Sequence, residues 1–159
     1  MDISVSLMFW FFAIALSIHI VEESTVGGGF VNMVKSQFWP AYDHKRFFWF
    51  NTACYLFLAI STVAYELCAG AWIVLPLSFA WMLVTNGFWH VIGTVFSRTY
   101  SPGLITSPIY WILMYFLIRY NLLRGQIEAS HFVISTVVGS LATVLMIGSL
   151  FLMGLKKRR

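Results

Sequence analysis

The sequence predicts an all-α integral membrane bundle of five transmembrane helices in one domain spanning residues 1–159. Hydrophobic residues make up 60% of the 159 residues and charged residues only 10%, and the mean hydropathy of +0.81 is far above that of a soluble domain. The apolar stretches are long and lack the alternation of half-buried strands. In lipid, a helix satisfies every backbone hydrogen bond within its own segment. These observations exclude a soluble enzyme.

Turn signals separate five apolar segments, at about 3–26, 47–67, 71–96, 108–123 and 131–154. Gly27-Gly28-Gly29 ends the first segment, Ala69-Gly70 follows the second, and the Pro102-Gly103 pair lies between the third and the fourth. The mixed stretch after the first segment carries Trp39 and Tyr42, which suit the headgroup level of a bilayer. We therefore expect an interfacial loop or a short amphipathic turn there.

The positive charges predict the orientation of the chain. Five spans place the two termini on opposite sides of the membrane. With the amino terminus outside, most of the lysines and arginines fall on the cytoplasmic side: Lys35, Lys45, Arg46, Arg98, Lys156, Lys157, Arg158 and Arg159. Only Arg119 and Arg124 remain outside. We expect a cytoplasmic carboxy terminus whose basic run contacts the bilayer surface, with no role for nucleic acid.

The segment His19-Ile20-Val21-Glu22-Glu23 carries one imidazole and two carboxylates at the end of the first apolar helix. Residues three and four apart lie on one helical face, so His19, Glu22 and Glu23 share an arc of roughly 100°. An ionisable residue at the centre of a bilayer costs about 2.5–3.5 kcal/mol on insertion scales and usually faces a cavity. The sequence therefore predicts the functional site here.

Counting depth along each helix brings three more polar residues to the same level. Asn51 lies near the cytoplasmic start of the second predicted helix, and Asn86 and His90 lie four apart near the cytoplasmic end of the third. The predicted pocket is formed by the first three helices. The same count places three other ionisable residues near the outer face, about 20 Å or more away: Glu66, Glu128 and His131.

The candidate catalytic residues are Glu22, Glu23, His19, His90 and Asn86, and the candidate metal ligands are His19, Glu22, Glu23 and His90. Two imidazoles with one or two carboxylates match a zinc or iron site with open positions, whereas a di-iron site needs about four carboxylates. Because sequential glutamates diverge by about 100° around a helix, one of them would join the two histidines and the other would act as base. The same groups could instead perform metal-free acid-base catalysis, with Asn86 orienting the substrate or stabilising an oxyanion. Both chemistries remain open at this point.

The leading functional hypothesis is an enzyme that acts on a lipid-soluble, isoprenoid-like molecule entering from the bilayer. A metal-dependent hydrolase or oxidoreductase and an acid-base isomerase or cyclase both fit. Phe12, Ala15 and His19 share one helical face, which suits an aromatic-walled slot leading to the site. The alternative is a carrier or binding protein that uses the glutamates for protons or cations, with a homodimer supplying the symmetry that five spans without a repeat lack. A third hypothesis is a buried structural network.

The ordered motifs resemble one family. His19-x-x-Glu22-Glu23 on a first apolar helix, Asn86 and His90 on a later one, and a Tyr100-x-Pro102-Gly103 turn are similar to the HXXEE-domain family of small integral membrane proteins. The resemblance extends from the first helix to the Pro-Gly turn and implies that these residues form the site, without implying a particular reaction. Glutamates, histidines and an asparagine also occur together in membrane-embedded prenyl-protein proteases and sterol isomerases, which is an analogy of parts.

Overall fold

The computed structural model describes residues 4–156, which are helical with connecting turns and contain no strand. Six α-helices follow one another: α1 Val5–Thr25, α2 Phe30–Gln37, α3 His44–Leu67, α4 Val74–Ser97, α5 Ser107–Leu117 and α6 Ala129–Lys156. A π-helical turn, Ile118–Leu122, continues α5. The last three cations of the basic run, Lys157, Arg158 and Arg159, lie outside the described residues.

The prediction of five transmembrane helices was wrong in number. Within residues 4–156, four helices are long and apolar enough to cross a membrane, namely α1, α3, α4 and α6. The predicted fourth span at 108–123 is the 11-residue helix α5 followed by the π-helical turn. Eleven residues rise only about 17 Å, against a hydrocarbon core of about 30 Å. Apolar composition alone did not reveal this change of helix type.

The helix directions follow from the contacts between α4 and α6, which run parallel. Ser135 donates a hydrogen bond to the Val74 carbonyl, and Thr143 donates one to the Met82 carbonyl further along both helices. The chain therefore returns through α5 and the π-helical turn between them. Ser6 bonds Glu66 at one end of the bundle, and Gly154 lies against Phe38 at the other. We call the latter the site end.

The stretch predicted as an interfacial loop or short turn contains the eight-residue helix α2. Val31 and Val34 on one side of α2 are buried and pack with Tyr42 and Phe47. Helix α3 then begins after Asp43, whose carboxylate accepts a hydrogen bond of 2.8 Å from the Arg46 backbone N–H. That bond is the main reason why the pKa of Asp43 is lowered. An amphipathic helix and its neighbouring cap thus close the site end.

Apolar side chains fill the interior between the two ends. One cluster contains five completely buried side chains, namely Phe9, Phe12, Leu58, Leu77 and Leu117. Large apolar side chains of α6 point outward instead, among them Val133, Val137, Leu141, Val144 and Leu145. Contiguous outward apolar surface of this kind suits lipid contact. The fold is therefore that of an integral membrane helical bundle.

The stripe Ser135, Gly139 and Thr143 was predicted as a packing seam, and the structure confirms it. Both hydroxyls bond carbonyls of α4. A Cβ at Gly139 would lie 2.7 Å from the Trp81 Cβ and would also clash with the Ser78 carbonyl oxygen. Small residues at this seam allow the two backbones to approach closely.

We expect Gly139→Ala to destabilise the bundle by about 1–3 kcal/mol, because the added methyl group overpacks the seam. Gly148→Ala is the matched control on the same helix, since a Cβ there would meet nothing within 4 Å. Its helix propensity improves by up to about 1 kcal/mol, so it should be neutral or stabilising. Unfolding in detergent, followed by circular dichroism, measures both. Equal stability of the two variants would contradict a tight α4–α6 seam.

Candidate active site and metal centre

Glu22 anchors the loop between α4 and α5. Its carboxylate accepts hydrogen bonds from the backbone N–H groups of Gly103 at 3.0 Å, Ile105 at 2.9 Å and Thr106 at 2.7 Å. The Tyr100 hydroxyl donates a further bond to it. These amides lie just before α5, where N–H groups lack helical partners and the helix dipole favours negative charge. Glu22 is thus held by four donors.

Tyr100 belongs to the same loop and supports the same carboxylate. Burial and the hydrogen bond to Glu22 raise the pKa of the Tyr100 phenol above its ordinary value. The phenol is therefore protonated at neutral pH and donates to Glu22. A Cβ on Gly27, after the end of α1, would collide with the Tyr100 ring. The glycine turn after α1 thereby makes room for the ring.

Three other predicted residues converge beside this loop. His19 Nε2 and His90 Nε2 each lie 3.6 Å from Glu23 Oε1, and the two imidazole centroids are 5.1 Å apart. The exposed fractions are 2% for His19, 6% for Glu23 and 0% for His90. A separation of 3.6 Å is too long for a hydrogen bond. The three side chains instead surround a gap that a cation or a shared proton can fill.

The opposite ring nitrogens contact loop hydroxyl groups. His19 Nδ1 lies 2.7 Å from Thr106 Oγ1, and His90 Nδ1 lies 3.0 Å from Ser101 Oγ. Each hydroxyl can give its own proton elsewhere, Thr106 to the Gly103 carbonyl and Ser101 to a methionine sulfur. The hydroxyls then accept hydrogen bonds from Nδ1–H. In each imidazole, the free lone pair is therefore assigned to Nε2, the nitrogen on the side of Glu23. Metal-binding histidines are oriented in this way.

The geometry of the cluster fits one transition metal ion. The ligand atoms of His19, Glu23 and His90 all lie within 4.8 Å of one another. Around a tetrahedral ion with bonds of about 2.1 Å, neighbouring ligand atoms are about 3.4 Å apart. The two distances of 3.6 Å are close to that value. His19 Nε2 is also buried and has no hydrogen-bond partner, as expected of an atom reserved for a ligand.

Gly103 lies between the two imidazoles. A Cβ there would be 2.6 Å from His19 Cε1 and 2.7 Å from His90 Cε1, and the residue has φ +106°. Only glycine adopts this backbone conformation without strain and leaves space for both rings. The loop backbone therefore forms one wall of the cluster.

Of the remaining predicted residues, one contacts the cluster and the others do not. Asn86 Nδ2 lies 3.2 Å from His90 Nε2, whereas the Asn51 amide donates to the Phe47 carbonyl in its own helix. The three residues excluded by depth lie away from the cluster: Glu66 bonds Ser6 and Trp10, and Glu128 pairs with His131 at 3.7 Å. The predicted pocket of three helices was incomplete, because the loop before α5 also builds the site.

Sequence reasoning missed the residues that orient the histidines. Ser101 and Thr106 were not candidates, although they flank the Pro-Gly turn that was identified. Tyr110 on α5 was also missed; it is 0% exposed, and its ring centroid lies 5.3 Å from that of His19. The available signal was a run of hydroxyl residues leading into Pro108, which is typical of a helix start.

A cavity of about 220 Å³ adjoins the cluster. His19, Glu23, Asn51 and Asn86 contribute polar groups to its wall. The rest of the lining is mainly apolar and aromatic, including Leu16, Phe47, Phe79, Leu83 and Trp89. An apolar cavity with a few convergent polar groups is typical of a small-molecule site.

A family model described as "protein of unknown function with HXXEE motif" matches residues 10–118 of the chain. The chain belongs to the HXXEE family. The matched region contains the titular histidine and both glutamates, His90, and the loop before α5. In this member of the HXXEE family, the three motif residues therefore divide between a loop anchor and a His-Glu-His cluster. Comparison with curated proteins and with solved structures finds no significant match.

We expect the two adjacent glutamates to differ when each is changed to glutamine. Glu22→Gln should cost about 2–4 kcal/mol of stability, because hydrogen bonds to a charged carboxylate are lost and an amide NH2 faces backbone donors. With a chelator present, Glu23→Gln should cost less than about 1 kcal/mol, because it removes no hydrogen bond and leaves no stranded charge. Thermal unfolding of both variants in the same detergent measures the difference. Equal losses would contradict the division of roles.

Proposed function

We propose that this protein is a membrane-embedded enzyme that acts on a lipid-soluble molecule at the His19, Glu23 and His90 cluster. One observation carries the proposal: two buried imidazoles direct their Nε2 atoms at one carboxylate oxygen, 3.6 Å away, and two of these three residues, His19 and Glu23, line an apolar cavity. Titratable groups grouped in this way beside a cavity are a common feature of active sites. The cavity supplies a place for an apolar substrate.

The three side chains would hold one transition metal ion, zinc or iron, through His19 Nε2, His90 Nε2 and Glu23 Oε1. When bound, such an ion supplies Lewis acidity and lowers the pKa of a coordinated water. Ser101 and Thr106 keep the two imidazoles in the required tautomer through Nδ1. Asn86 lies within reach of the reacting group, where its amide can orient a carbonyl or hydroxyl oxygen.

Metal-free acid-base catalysis uses the same atoms. One of Glu23 and His19 would then take a proton from a bound substrate, and the other would give a proton to a different atom of that substrate. Both side chains line the cavity. Isomerisation or cyclisation of an isoprenoid-like lipid requires such proton transfer. The metal content of the protein separates this mechanism from the metal-assisted one.

A carrier function receives less support from the interior of the bundle. A path for protons or cations from the site to the other end would need polar groups along the way. Between the cluster and Glu66, the completely buried side chains of Phe9, Phe12 and Leu58 fill the core. A site that ends against an apolar core suits an enzyme better than a conduit.

The proposed enzyme has its site in the cytoplasmic half of the membrane. Lys35, Lys45, Arg46 and Arg98 all occur next to the helix ends that form the site end. The positive-inside rule assigns such an end to the cytoplasm. The amino terminus would then lie outside and the carboxy terminus in the cytoplasm.

Elemental analysis of protein purified without a histidine tag or chelator tests the metal. We expect about one equivalent of zinc or iron in the wild type and a loss of about tenfold or more in His19→Ala, His90→Ala and Glu23→Gln. Glu128→Gln and His131→Ala are the matched controls, since they change an exposed His-Glu pair far from the cluster. Wild-type protein without metal would overturn the metal-assisted mechanism and leave the acid-base one.

Comparison of extractable lipids tests the enzyme itself. Membranes containing wild-type protein or Glu128→Gln should show the loss of one lipid-soluble species and the gain of another, and membranes containing Glu23→Gln should lack the change. We expect the turnover to fall by about 10²-fold or more, in line with the removal of an acid-base group. Identical lipid profiles for wild type and Glu23→Gln would refute enzymatic activity.

A further inference from the structure

The cavity beside the cluster is long and narrow. Its lining runs along α3 from Arg46 to Cys54 and along α4 from Phe79 to Trp89, which corresponds to about 12–15 Å at 1.5 Å per residue. A volume of about 220 Å³ is about seven times the ~30 Å³ that one water molecule, or a group of similar size such as a methylene, occupies. Seven or eight methylene groups over that length form a single file. The cavity is therefore one hydrocarbon chain wide.

The polarity of the lining changes along this length. The deep end, towards the middle of the bundle, is formed by Phe79, Leu83 and Cys54. Asn51, Asn86 and the His19 and Glu23 side chains line the part nearer the site end. A molecule with an apolar tail and a polar head therefore fits in one direction only, with its tail at the deep end.

The shallow end of the cavity is closed by aromatic packing. Tyr42 is 5% exposed, its ring centroid lies 5.6 Å from that of Trp39, and the Arg46 guanidinium stacks 5.1 Å from the Trp39 centroid. Arg46 itself is already paired with Asp43. A bulky charged headgroup has no room under this cover. The head that fits is a small oxygen-containing group.

The entrance lies on the side of the bundle. Most of the lining is buried or half-buried. The exposed members are Phe50 on α3, Ser149 on α6, and Arg46 at the shallow end, where its guanidinium lies over Trp39 and pairs with Asp43. Helix α6 packs along α4, whereas α3 and α6 do not pack along each other. The slot between α3 and α6 is therefore the side of the bundle on which the cavity can open towards the bilayer.

We propose that this cavity binds a single-chain lipid with a small uncharged oxygen head, such as an alcohol or aldehyde of about eight carbons, which enters sideways between α3 and α6. Its chain end lies near Phe79 and Leu83, and its head lies at the cluster. A two-chain membrane lipid is excluded by the width of the cavity. The assignment of the head as the reacting group rests on the proposed function, whereas occupancy of the cavity by a single chain does not.

Photocrosslinking in nanodiscs of a two-chain phospholipid tests this proposal. The probes are two octanol derivatives, one with a diazirine at the chain end and one with a diazirine next to the hydroxyl group. We expect the chain-end probe to label the deep residues Cys54, Phe79 or Leu83, and the other probe to label Asn51 or Asn86. Labelling of the outward side chains of α6 alone, or the same sites with both probes, would overturn the proposal.

Three variants of α6 test the entrance specifically. Ile147→Trp places a larger side chain in the cavity wall and thereby narrows the cavity. The yield of labelling by both probes should fall by about fivefold or more, because overpacking excludes the lipid chain. Val144→Trp, on the same helix at a side chain that is 64% exposed, is the matched control and should leave labelling unchanged. Ser149→Phe narrows the exposed mouth itself and should act like Ile147→Trp even if the latter variant fails to fold. Equal labelling of Ser149→Phe and Val144→Trp would refute the lateral route.

Lipid turnover, measured on the same wild-type preparation as labelling, separates this proposal from the proposed enzyme. Labelling without any lipid turnover in the wild type would retain the binding site and reject the enzyme. Turnover in the wild type without labelling of cavity residues would retain the enzyme and reject the single-chain site.

Discussion

The carboxylate of Glu22 is the interaction on which the rest of the site depends. Its hydrogen bonds from Gly103, Ile105 and Thr106 fix the loop before α5 against the end of α1. That loop then presents hydroxyl groups to both imidazoles and inserts its glycine between them. The hydrogen bonds from the loop to both histidines therefore depend on this anchor. One of two sequential glutamates thus holds the loop that orients the histidine neighbours of the other.

The electrostatics of the two glutamates explain why they need different partners. A carboxylate in a bilayer is costly unless donors or charges compensate it. Glu22 is compensated by dipoles of the loop and of the start of α5, which need no cation. Glu23 faces two imidazoles, which carry positive charge only when protonated. A carboxylate placed between two imidazoles in this way fits the shared proton or the metal ion of the proposed enzyme.

Helical geometry made the centre of this site predictable, and loop geometry made its surroundings unpredictable. The spacing of His19 and Glu23 and of Asn86 and His90, together with depth along each helix, brought these residues together correctly. Which glutamate would meet the histidines depended on the rotation of α1, which one sequence leaves open. The contacts of the loop before α5 have no periodicity, so Ser101 and Thr106 could not be inferred.

The same limits explain the errors in the fold. The long apolar helices were predicted close to their observed bounds because composition over about 20 residues is a strong signal. Helix α5 has the same composition, but it is only 11 residues long and continues as a π-helical turn. Tyr110 and Leu117 on one face are buried, whereas Ile112 and Tyr115 are exposed. Hydropathy reports the apolar length of such a segment but not the change of helix type within it.

The parallel pairing of α4 with α6 separates chemistry from selectivity within the molecule. Helix α6 supplies Met146, Ile147 and Leu150 to the cavity wall but no atom to the His-Glu-His cluster. Its outer face meets only lipid, so its sequence is free to vary wherever the small residues of the seam are kept. If the proposed enzyme is correct, exchange of a few side chains on this one peripheral helix could change which molecule fits the cavity while the His-Glu-His cluster stays the same.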